Sequence, residues 1–471
     1  MNQNDFFQGK ITAVNVGAEG FCTGLQEQNI RTATVKWRPP VDAKLIKLLR
    51  KCDECGLTEK IDAANQKVLQ ALLEADPVWV GIRPAKEVLP DFPDNMVLHS
   101  GPDCTFDELC SIHRKGMVGA ALHEKWAKTE EEAVAKFRSG ELAIGACNDH
   151  ATVGAGAGIV SPSMPVLICR DEHTGCEGYC LPFEGRSGLG VWGVYNQEVE
   201  ATLQVIEHKF APAVNRTLQK NGGIPIKSII ARSLQMNDDI HTRQTAAGLI
   251  LLSEITPKLL HSDLDWETVT LCVEMFASSE RWFHPLGMAS AMSTLRNIKG
   301  TEYSTVVTAI CNGGVNTGLK VASMGETWFT APAPYLKGAY FSPSWSDTDA
   351  SPYCGDSTVT EVVGMGAFAG AAAPSVLRLR GGTCQDAIAQ TTEMRTICVG
   401  INSNYPIPMM EFTGPGLGID IRKVIETGIP PVCHGGIISK EGGQIGAGIA
   451  RFPIQVYVDA MYAFLKKYGI T

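Results

Sequence analysis

The chain has 471 residues, of which 44% are hydrophobic and 19% charged, and its formal net charge is −9. The acidic balance argues against nucleic acid as a partner, because binding a nucleic-acid backbone requires a basic face. No segment reaches the roughly 18 consecutive apolar residues of a membrane-spanning helix, and the first ten residues lack the features of a signal peptide. The sequence therefore predicts a cytoplasmic protein without membrane contact, long enough for roughly two to four domains.

The first segment, residues 1–45, is predicted to be a small Rossmann-like unit. Its sequence "KITAVNVGAEGFCTGLQEQNIRTATVKWRPP" predicts a strand, a glycine turn, a short helix and a second strand before two prolines. Gly17 and Gly20 do not complete a GxGxxG motif, so a dinucleotide site is not expected. A charged helical linker over residues 46–75 follows.

The rest of the chain predicts a mixed α/β (α+β) fold, with two α/β lobes and a helical segment between them. The first lobe, residues 76–200, combines strand patterns with a helical stretch whose capping and turn signals are Thr129 and Gly140. Residues 201–300 carry mostly helical patterns and form the predicted helical domain. In the second lobe, residues 301–471, strands alternate with glycine-rich turns and short helices.

The first motif with chemical potential is "CNDHATVGAGAGIVSPSMPV", a glycine-rich loop that follows a predicted strand. Consecutive backbone amides in such a loop can hold a phosphate or carboxylate, and nearby serine hydroxyls can add donors. The alternative is structural, with glycines needed for close strand packing. The residues concerned are His150, Gly154, Gly156, Gly158, Ser161 and Ser163.

A polar cluster precedes an apolar helix in "LQMNDDIHTRQTAAGLILLSEI". Asn237 or Asp238 is predicted to be the N-cap, which would place His241 in the first helical turn. The positive end of the helix favours a neutral imidazole there, able to accept a proton or polarise a carbonyl. Arg243 could bind a carboxylate through two hydrogen bonds. The alternative is ordinary capping with a solvated first turn.

Two further motifs follow predicted strands. In "ICNGGVNTGLKV", Asn312, Gly313 and Asn316 could hold an amide or urea group at a strand end, although a plain turn explains them equally well. In "YCGDSTVTE", the GxSxG elbow of serine hydrolases is absent, and Asp356 is predicted to be the N-cap of the next helix.

Cysteines and known motifs give little reason to expect a metal. Cys52 and Cys55 form one CxxC pair, and a second pair that would complete a zinc site is missing. The motifs of zinc proteases, EF-hands, kinases and P-loop NTPases are absent too. A chemistry without metal or other cofactor is therefore favoured. Several cysteines are predicted to be small buried residues in a reducing compartment: Cys147, Cys169, Cys272, Cys311 and Cys433.

Segments from about residue 76 to the end carry a resemblance to a known family. They are "GIVSPSMPV", "LQMNDDIHTRQTAAGLILL", "WFTAPAPYLKGAYF", "CGDSTVTEVVGMGAFAGAAAP", "GIDIRKVIETGIPPV" and "GQIGAG". In this order they resemble the AllG (YlbE) family of oxamate carbamoyltransferase subunits. The resemblance implies a subunit that acts with AllF (FdrA-like) and AllH in anaerobic allantoin and purine breakdown. The implied reaction converts oxalurate and phosphate to oxamate and carbamoyl phosphate.

Such a reaction needs a phosphate-binding loop, donors to the carbonyl oxygen, a carboxylate clamp and a proton-transfer group. Two alternatives stay open: a non-catalytic scaffold subunit of that complex, and a metal-free amidohydrolase or acyl transferase with another substrate. An isolated chain is expected to form homo-oligomers. The catalytic candidates are His241, Asp239, Arg243 and His150. The candidates for substrate binding are Gly154, Gly156, Ser161, Ser163, Asn312, Gly313, Asn316 and Thr330.

Overall fold

The structure is a computed structural model that describes residues 12–17, 20–35, 41–185, 187–378 and 381–471. The described residues form several small sheets surrounded by helices, which confirms the predicted mixed α/β class. Among the described helices, none combines the length and the apolar character needed to cross a membrane. The predicted division into five segments stays a prediction.

The N-terminal unit has the predicted order of strand, helix and strand. Its two strands pair in parallel, as they do in a βαβ unit. Asp42 then caps the first linker helix by accepting hydrogen bonds from the amides of Lys44 and Leu45. The elements are β1 (Thr12–Val16), α1 (Gly20–Glu27), β2 (Arg31–Val35), α2 (Ala43–Glu54) and α3 (Leu57–Glu74).

The next region is built on a five-stranded sheet, in which the strands follow in the order Thr152–Val153, Glu177–Cys180, Pro165–Asp171, Pro77–Pro84 and Ile224–Pro225. The fully buried Trp79 belongs to one of its central strands and contributes to the main core. Thr129 and Gly140 delimit a helix as the sequence predicts. The elements are β3 (Pro77–Pro84), α4 (Ala85–Val88), β4 (Met96–His99), α5 (Ser111–His123), α6 (Glu130–Ser139), β5 (Ala143–Ala146), β6 (Thr152–Val153), β7 (Pro165–Asp171), β8 (Glu177–Cys180) and α7 (Leu189–Trp192).

The middle of the chain is mainly helical, and its last helix packs against strands β7 and β8. The contact is close because β8 has Gly178 there, where any side chain would clash with the backbone around Ser293. A π-helical turn, Ile206–Phe210, joins two of the helices. The elements are α8 (Gln197–Val205), α9 (Ala211–Asn221), β9 (Ile224–Pro225), α10 (Ile226–Leu234), α11 (Thr245–Leu260), α12 (Trp266–Ala277) and α13 (Phe283–Arg296).

The C-terminal region contains sheets of order β12-β11-β10-β14, β13-β18-β17 and β15-β16. The elements are β10 (Val307–Gly313), β11 (Asn316–Val321), β12 (Phe329–Pro332), β13 (Lys337–Tyr340), β14 (Cys354–Gly355), α14 (Val359–Val362), α15 (Pro374–Leu377), α16 (Cys384–Arg395), β15 (Cys398–Ile401), β16 (Gly416–Ile419), α17 (Ile421–Thr427), β17 (Val432–Ile438), β18 (Gln444–Arg451) and α18 (Ile454–Lys467).

The short strand β14 connects two regions that are far apart in the sequence. It pairs with the end of β10, and its Gly355 forms an antiparallel bridge with Ala155 of the glycine-rich loop. The chain that leaves β14 therefore begins beside that loop. This arrangement brings Ser357 close to the segment that precedes α11.

Candidate functional site

The polar cluster before α11 is a loop folded around the carboxylate of Asp239. One oxygen of this carboxylate, Oδ1, accepts hydrogen bonds from the amides of His241 (3.0 Å), Thr242 (2.8 Å) and Arg243 (2.8 Å). Ile240 adopts a positive φ of 69°, which is unusual for a β-branched residue and frequent at functional sites. The loop therefore presents His241 in one fixed orientation.

The helix itself begins at Thr245, so the prediction that His241 lies in its first turn is wrong. The reason is that the side chain of Asp239 engages the amides that would otherwise begin the helix. Asp238 still contributes to capping, because its Oδ2 accepts a hydrogen bond of 2.8 Å from the amide of Ala247. The two neighbouring aspartates thus have separate tasks.

His241 links a serine hydroxyl to a glutamate. The Oγ of Ser357 lies 2.9 Å from Nε2 of His241, and both carboxylate oxygens of Glu361 lie 2.8 Å from its Nδ1. An ionised glutamate can only accept, so Nδ1–H donates to it and Nε2 is left to accept a proton from the serine hydroxyl. The three side chains have the order of a nucleophile, a base and an orienting acid.

The environment of His241 favours proton uptake. Burial opposes a charge on the imidazole, but the charge and hydrogen bond of Glu361 outweigh it and raise the pKa of His241. The His284 ring stacks on it with the ring centroids 5.7 Å apart, and burial together with the charge of His241 lowers the pKa of His284 to about 3. Of these two stacked imidazoles, His241 is therefore the one equipped to act as a base.

A second layer of contacts holds the serine–histidine–glutamate triad in place. Oδ2 of Asp239 is 2.8 Å from Nδ1 of His434, and the His434 amide donates to Glu361 (3.1 Å). Gly366 has a positive φ of 55° and lies so close to Glu361 that a side chain would clash with the carboxylate. The hydroxyl of Tyr353 lies 3.2 Å from Oγ of Ser357. These contacts make Asp239 a support for the loop and the triad.

The triad opens onto a small cavity of about 100 Å³, which we call the triad cavity. Such a volume suits a small metabolite, since pockets for drug-sized ligands are roughly 300 to 1,000 Å³. Arg281 also lines the cavity, where its guanidinium donates to Oε1 of Gln444 (2.8 Å). A larger open groove of about 970 Å³ contains Trp266 and Arg216 but none of the three triad residues.

Several buried polar atoms on the wall of the triad cavity have no hydrogen-bond partner among the described residues. Buried polar groups normally find partners, so a cluster of such atoms around one cavity indicates a place for polar ligand atoms. They are Nε1 of Trp192, Oγ1 of Thr242, Oε1 of Gln244 and Nε2 of His284.

The glycine-rich loop has a mainly structural arrangement. Gly156 lines the triad cavity. The amide of Gly154 donates to the carboxylate of Asp356 (3.1 Å), and a side chain on Gly154 would clash with Gly158. His150 lies outside the cavity lining, with its Nδ1 2.8 Å from the carbonyl oxygen of Pro90. These contacts support the packing alternative for the loop and leave its predicted phosphate-binding role untested.

The other predicted binding residues lie outside the residues that line the triad cavity. The hydroxyl of Ser161 donates to Oε1 of Glu124 at 2.6 Å, and the backbone amide of Ser163 donates to the same atom at 2.8 Å. Asn312 donates to the carbonyl oxygen of Gly355 (3.1 Å) and so supports the turn before the serine. The remaining three lie on or at the end of strands β10 to β12: Gly313, Asn316 and Thr330.

Asp356 and Arg243 both lie outside the residues that line the triad cavity. Asp356 is not the N-cap of the next helix, which begins after Thr358; its buried carboxylate instead accepts from the amide of Gly101 (2.8 Å), and burial raises its pKa to about 7. Arg243 lies 3.7 Å from Asp238, with 40% of its side chain exposed. The cation that lines the cavity is Arg281, so the role predicted for Arg243 stays a prediction.

The absence of a GxSxG elbow argued against Ser357 as a nucleophile, and local patterns did not single out Glu361 or Arg281. Ser357 and Glu361 are four positions apart in "DSTVTE", a spacing that can place two side chains on one helical face. That signal is weak, because the base that joins them lies more than a hundred residues earlier in the chain.

The fold and the site define a mixed α/β protein with a serine–histidine–glutamate triad beside a small, largely buried cavity. A family model described as "Oxamate carbamoyltransferase subunit AllG" matches residues 142–357. The chain is 32% identical to oxamate carbamoyltransferase subunit AllG of Escherichia coli (strain K12), over 86% of this chain and 98% of that protein. The chain therefore belongs to the AllG family, as its motifs indicated.

Two further relatives match along most of their length. The chain is 32% identical to the uncharacterized protein YahG of Escherichia coli (strain K12), with complete coverage of both (100%). A crystal structure of a conserved protein of unknown function from Enterococcus faecalis V583 matches with a TM-score of 0.85 and 32% identity, covering 88% of this chain and 99% of that one. The fold is thus shared with a protein whose crystal structure has been determined.

Proposed function

We propose that this chain is a carbamoyltransferase subunit that converts oxalurate and phosphate to oxamate and carbamoyl phosphate, and that its triad cavity is the site of carbamoyl transfer. The observation that carries the proposal is the hydrogen bond from the Ser357 hydroxyl to a buried histidine, itself oriented by a glutamate. Membership of the AllG family supports the carbamoyl group as the acyl group that is transferred. AllF-like and AllH-like chains would complete the complex in the cytoplasm, within anaerobic allantoin and purine breakdown.

In the first half-reaction, Oγ of Ser357 attacks the terminal ureido carbonyl carbon of oxalurate. The hydroxyl proton passes to Nε2 of His241, 2.9 Å away. The tetrahedral intermediate then breaks its bond to the amide nitrogen, which takes the proton from His241 and leaves as oxamate. The enzyme retains the carbamoyl group as an ester of Ser357.

In the second half-reaction, an oxygen of hydrogen phosphate attacks the carbamoyl ester. His241 accepts the phosphate proton and returns it to Oγ of Ser357 as the ester bond breaks, so that carbamoyl phosphate leaves and the free enzyme is restored. The same residues thus serve both half-reactions. Glu361 stabilises the imidazolium that forms in each, because its carboxylate contacts Nδ1 at 2.8 Å.

Two features of the cavity suit anionic substrates. Arg281 provides a permanent positive charge in the lining, where it can pair with the oxalurate carboxylate or with phosphate. The partnerless polar atoms of Gln244 and His284 can bind the amide and carbonyl groups that remain. Because the cavity is small and its lining residues are buried or half-buried, it also limits water, which would hydrolyse the carbamoyl ester.

Isotope exchange tests the covalent step. The chain is assembled with its two partner subunits and mixed with carbamoyl phosphate and labelled inorganic phosphate, without oxamate. The proposal predicts incorporation of label into carbamoyl phosphate, and its loss in Ser357→Ala, because exchange requires a carbamoyl-enzyme. Net formation of oxalurate in an assembly that shows no exchange would mean direct transfer and would remove Ser357 from the role of nucleophile.

A second candidate function is a metal-free amidohydrolase or another acyl transferase, because the same triad activates a serine in many hydrolases. Phosphate dependence separates the two. A carbamoyltransferase releases oxamate from oxalurate only when phosphate or another acceptor is present, whereas a hydrolase does so in phosphate-free buffer. If the partners alone carry out the reaction at full rate, this chain is a scaffold.

A further inference from the structure

A cluster of two cysteines and a histidine, which we call the Cys2His cluster, adjoins the triad cavity. It consists of Cys110, His113 and Cys354, whose potential ligand atoms all lie within 4.8 Å of one another. Cys354 also lines the cavity and precedes Ser357 by three residues. None of the steps of carbamoyl transfer derived above uses this cluster. From its geometry we infer that the cluster is a binding site for one zinc ion.

The separations within the cluster are close to those of a tetrahedral zinc site. Bonds of about 2.3 Å from zinc to each thiolate place two sulfur atoms about 3.8 Å apart. The sulfur atoms of Cys110 and Cys354 are 3.9 Å apart. Nδ1 of His113 lies 2.8 Å from Sγ of Cys110, and this distance would lengthen to about 3.5 Å when both atoms bind one ion.

The hydrogen bond at Nε2 of His113 leaves the metal-binding lone pair of the imidazole on Nδ1. Its Nε2 lies 2.9 Å from Oγ of Ser100, and that hydroxyl donates its own proton to the carbonyl oxygen of Gly156 at 2.6 Å. Ser100 must therefore accept a hydrogen from Nε2–H, so the lone pair of the neutral imidazole is on Nδ1, facing Cys110. A ligand histidine whose other nitrogen donates to a fixed partner is usual in zinc sites.

The surrounding backbone is adapted to the two sulfur atoms. Gly314 has a positive φ of 71°, and a Cβ there would lie 2.5 Å from Sγ of Cys354 and 2.7 Å from Sγ of Cys110. Glycine is thus required both by the conformation and by the space that the sulfurs occupy. Cys110 also lies at the N-cap of α5, where the helix amides favour a thiolate.

The ligand set predicts the type of site. Two thiolates and one imidazole are soft to borderline donors that select zinc over magnesium or calcium. Three protein ligands leave one position for water or a substrate oxygen, as in catalytic zinc sites. Since Cys354 belongs to the cavity wall, a zinc ion here would lie beside the triad. Cys354 lies 244 residues after Cys110, so the complete ligand set does not form a local sequence motif.

Metal binding by the purified, reduced chain tests the inference without reference to activity. The chain is stripped with a chelator, then titrated with Zn²⁺ and, separately, with Co²⁺, whose thiolate bonds give charge-transfer absorption and whose tetrahedral geometry gives visible bands. We expect one ion per chain. The variants Cys110→Ser, Cys354→Ser and His113→Gln should lose at least about tenfold in affinity, as expected on removal of a ligand.

Cys384→Ser serves as the matched control, because Cys384 is an exposed free thiol outside the cluster. Circular dichroism of each variant shows whether it is folded, and His113→Gln, which keeps both sulfurs, distinguishes metal loss from misfolding. Stoichiometry well below one ion, or equal binding by the control and the three ligand variants, would overturn the inference. The inference would also be overturned if Cys110 and Cys354 formed a disulfide in the purified chain and the reduced chain did not bind Zn²⁺.

Discussion

The Oγ atom of Ser357 lies 2.9 Å from Nε2 of His241, although 116 positions separate the two residues in the chain. The serine follows a two-residue strand, and the histidine belongs to a loop folded around an aspartate. Neither residue is on a long regular element, so their meeting depends on two turns that are each fixed by buried hydrogen bonds.

The proposed mechanism predicts that replacing Ser357 by alanine reduces carbamoyl transfer by at least about 100-fold, because the proposed nucleophile is lost while the cavity stays intact. The change removes only one oxygen atom, so Tm should change by no more than a few degrees. Oxalurate formation from carbamoyl phosphate and oxamate in the assembled complex gives the rate. Ser344→Ala, at an exposed position, is the control. A variant with normal turnover would exclude Ser357 from the chemistry.

Replacing Glu361 by glutamine should lower the maximum rate of carbamoyl transfer and shift the acidic limb of the pH–rate profile to lower pH. The base must be neutral, so wild-type activity rises with pH through the raised pKa of His241. Without the negative charge of Glu361 that pKa falls, and the acidic limb of the pH–rate profile moves to lower pH while the maximum rate decreases. Glu411→Gln, an exposed control, should retain the wild-type profile. An unshifted limb would mean that another group is the base.

Replacing Arg281 by glutamine should raise KM for oxamate by about 10- to 100-fold, with a smaller effect on kcat. Hydrogen bonds to charged groups contribute about 1.5 to 3 kcal/mol, and this arginine lines the cavity. Arg243→Gln, measured in the same steady-state assay, tests the carboxylate clamp predicted from the sequence. If Arg243→Gln alone raises KM, the substrate carboxylate is bound outside the cavity described here.

A buried histidine between two glutamates, outside the site, predicts that the stability of the fold depends on pH. His123 contacts Glu200 and Glu207, both at 2.7 Å. Burial opposes its charge, but the two carboxylates outweigh burial and raise its pKa to about 9. Because the folded pKa is above the unfolded value of about 6.5, the stabilisation is fully present below pH 6.5 and disappears as pH rises through about 9. It corresponds to roughly 3 kcal/mol.

Urea unfolding between pH 6 and pH 10 measures this effect. His123→Gln should unfold at lower urea concentration at pH 6 and should lose less stability than the wild type as the pH rises from 6.5 to 9. The control is His261→Gln, an exposed histidine on another helix end. If the variant and the wild type lose stability in parallel as pH rises, His123 is not the titrating group.

Replacing Gly156 by alanine should destabilise the fold by more than about 2 kcal/mol. Its φ of 58° is unfavourable for a side chain, and a Cβ would clash with the backbone of Val191. The control is Gly24→Ala, on a helix with open space around the Cβ position, where little change is expected. Thermal unfolding compares the two. A stable, inactive Gly156→Ala would instead support the phosphate-binding role predicted for this loop.

Local sequence patterns determined much of the secondary structure and the family. The helix between Thr129 and Gly140 and the parallel N-terminal strands follow from capping, turn and periodicity signals that act over a few residues. The burial of cysteines such as Cys147 and Cys433 also followed from their apolar neighbours. The sequence alone also makes His241 a candidate, because acidic and basic residues surround it.

The partners of His241 were decided only by the tertiary structure. Glu361 and Ser357 reach it because β14 pairs with β10 and bridges to the glycine-rich loop, contacts between segments far apart in the chain. The same folding brings Arg281 to the cavity and Cys110 to Cys354. Local patterns cannot specify such tertiary contacts, because the neighbours of a side chain depend on how the sheets and helices pack. That packing depends on residues throughout the chain.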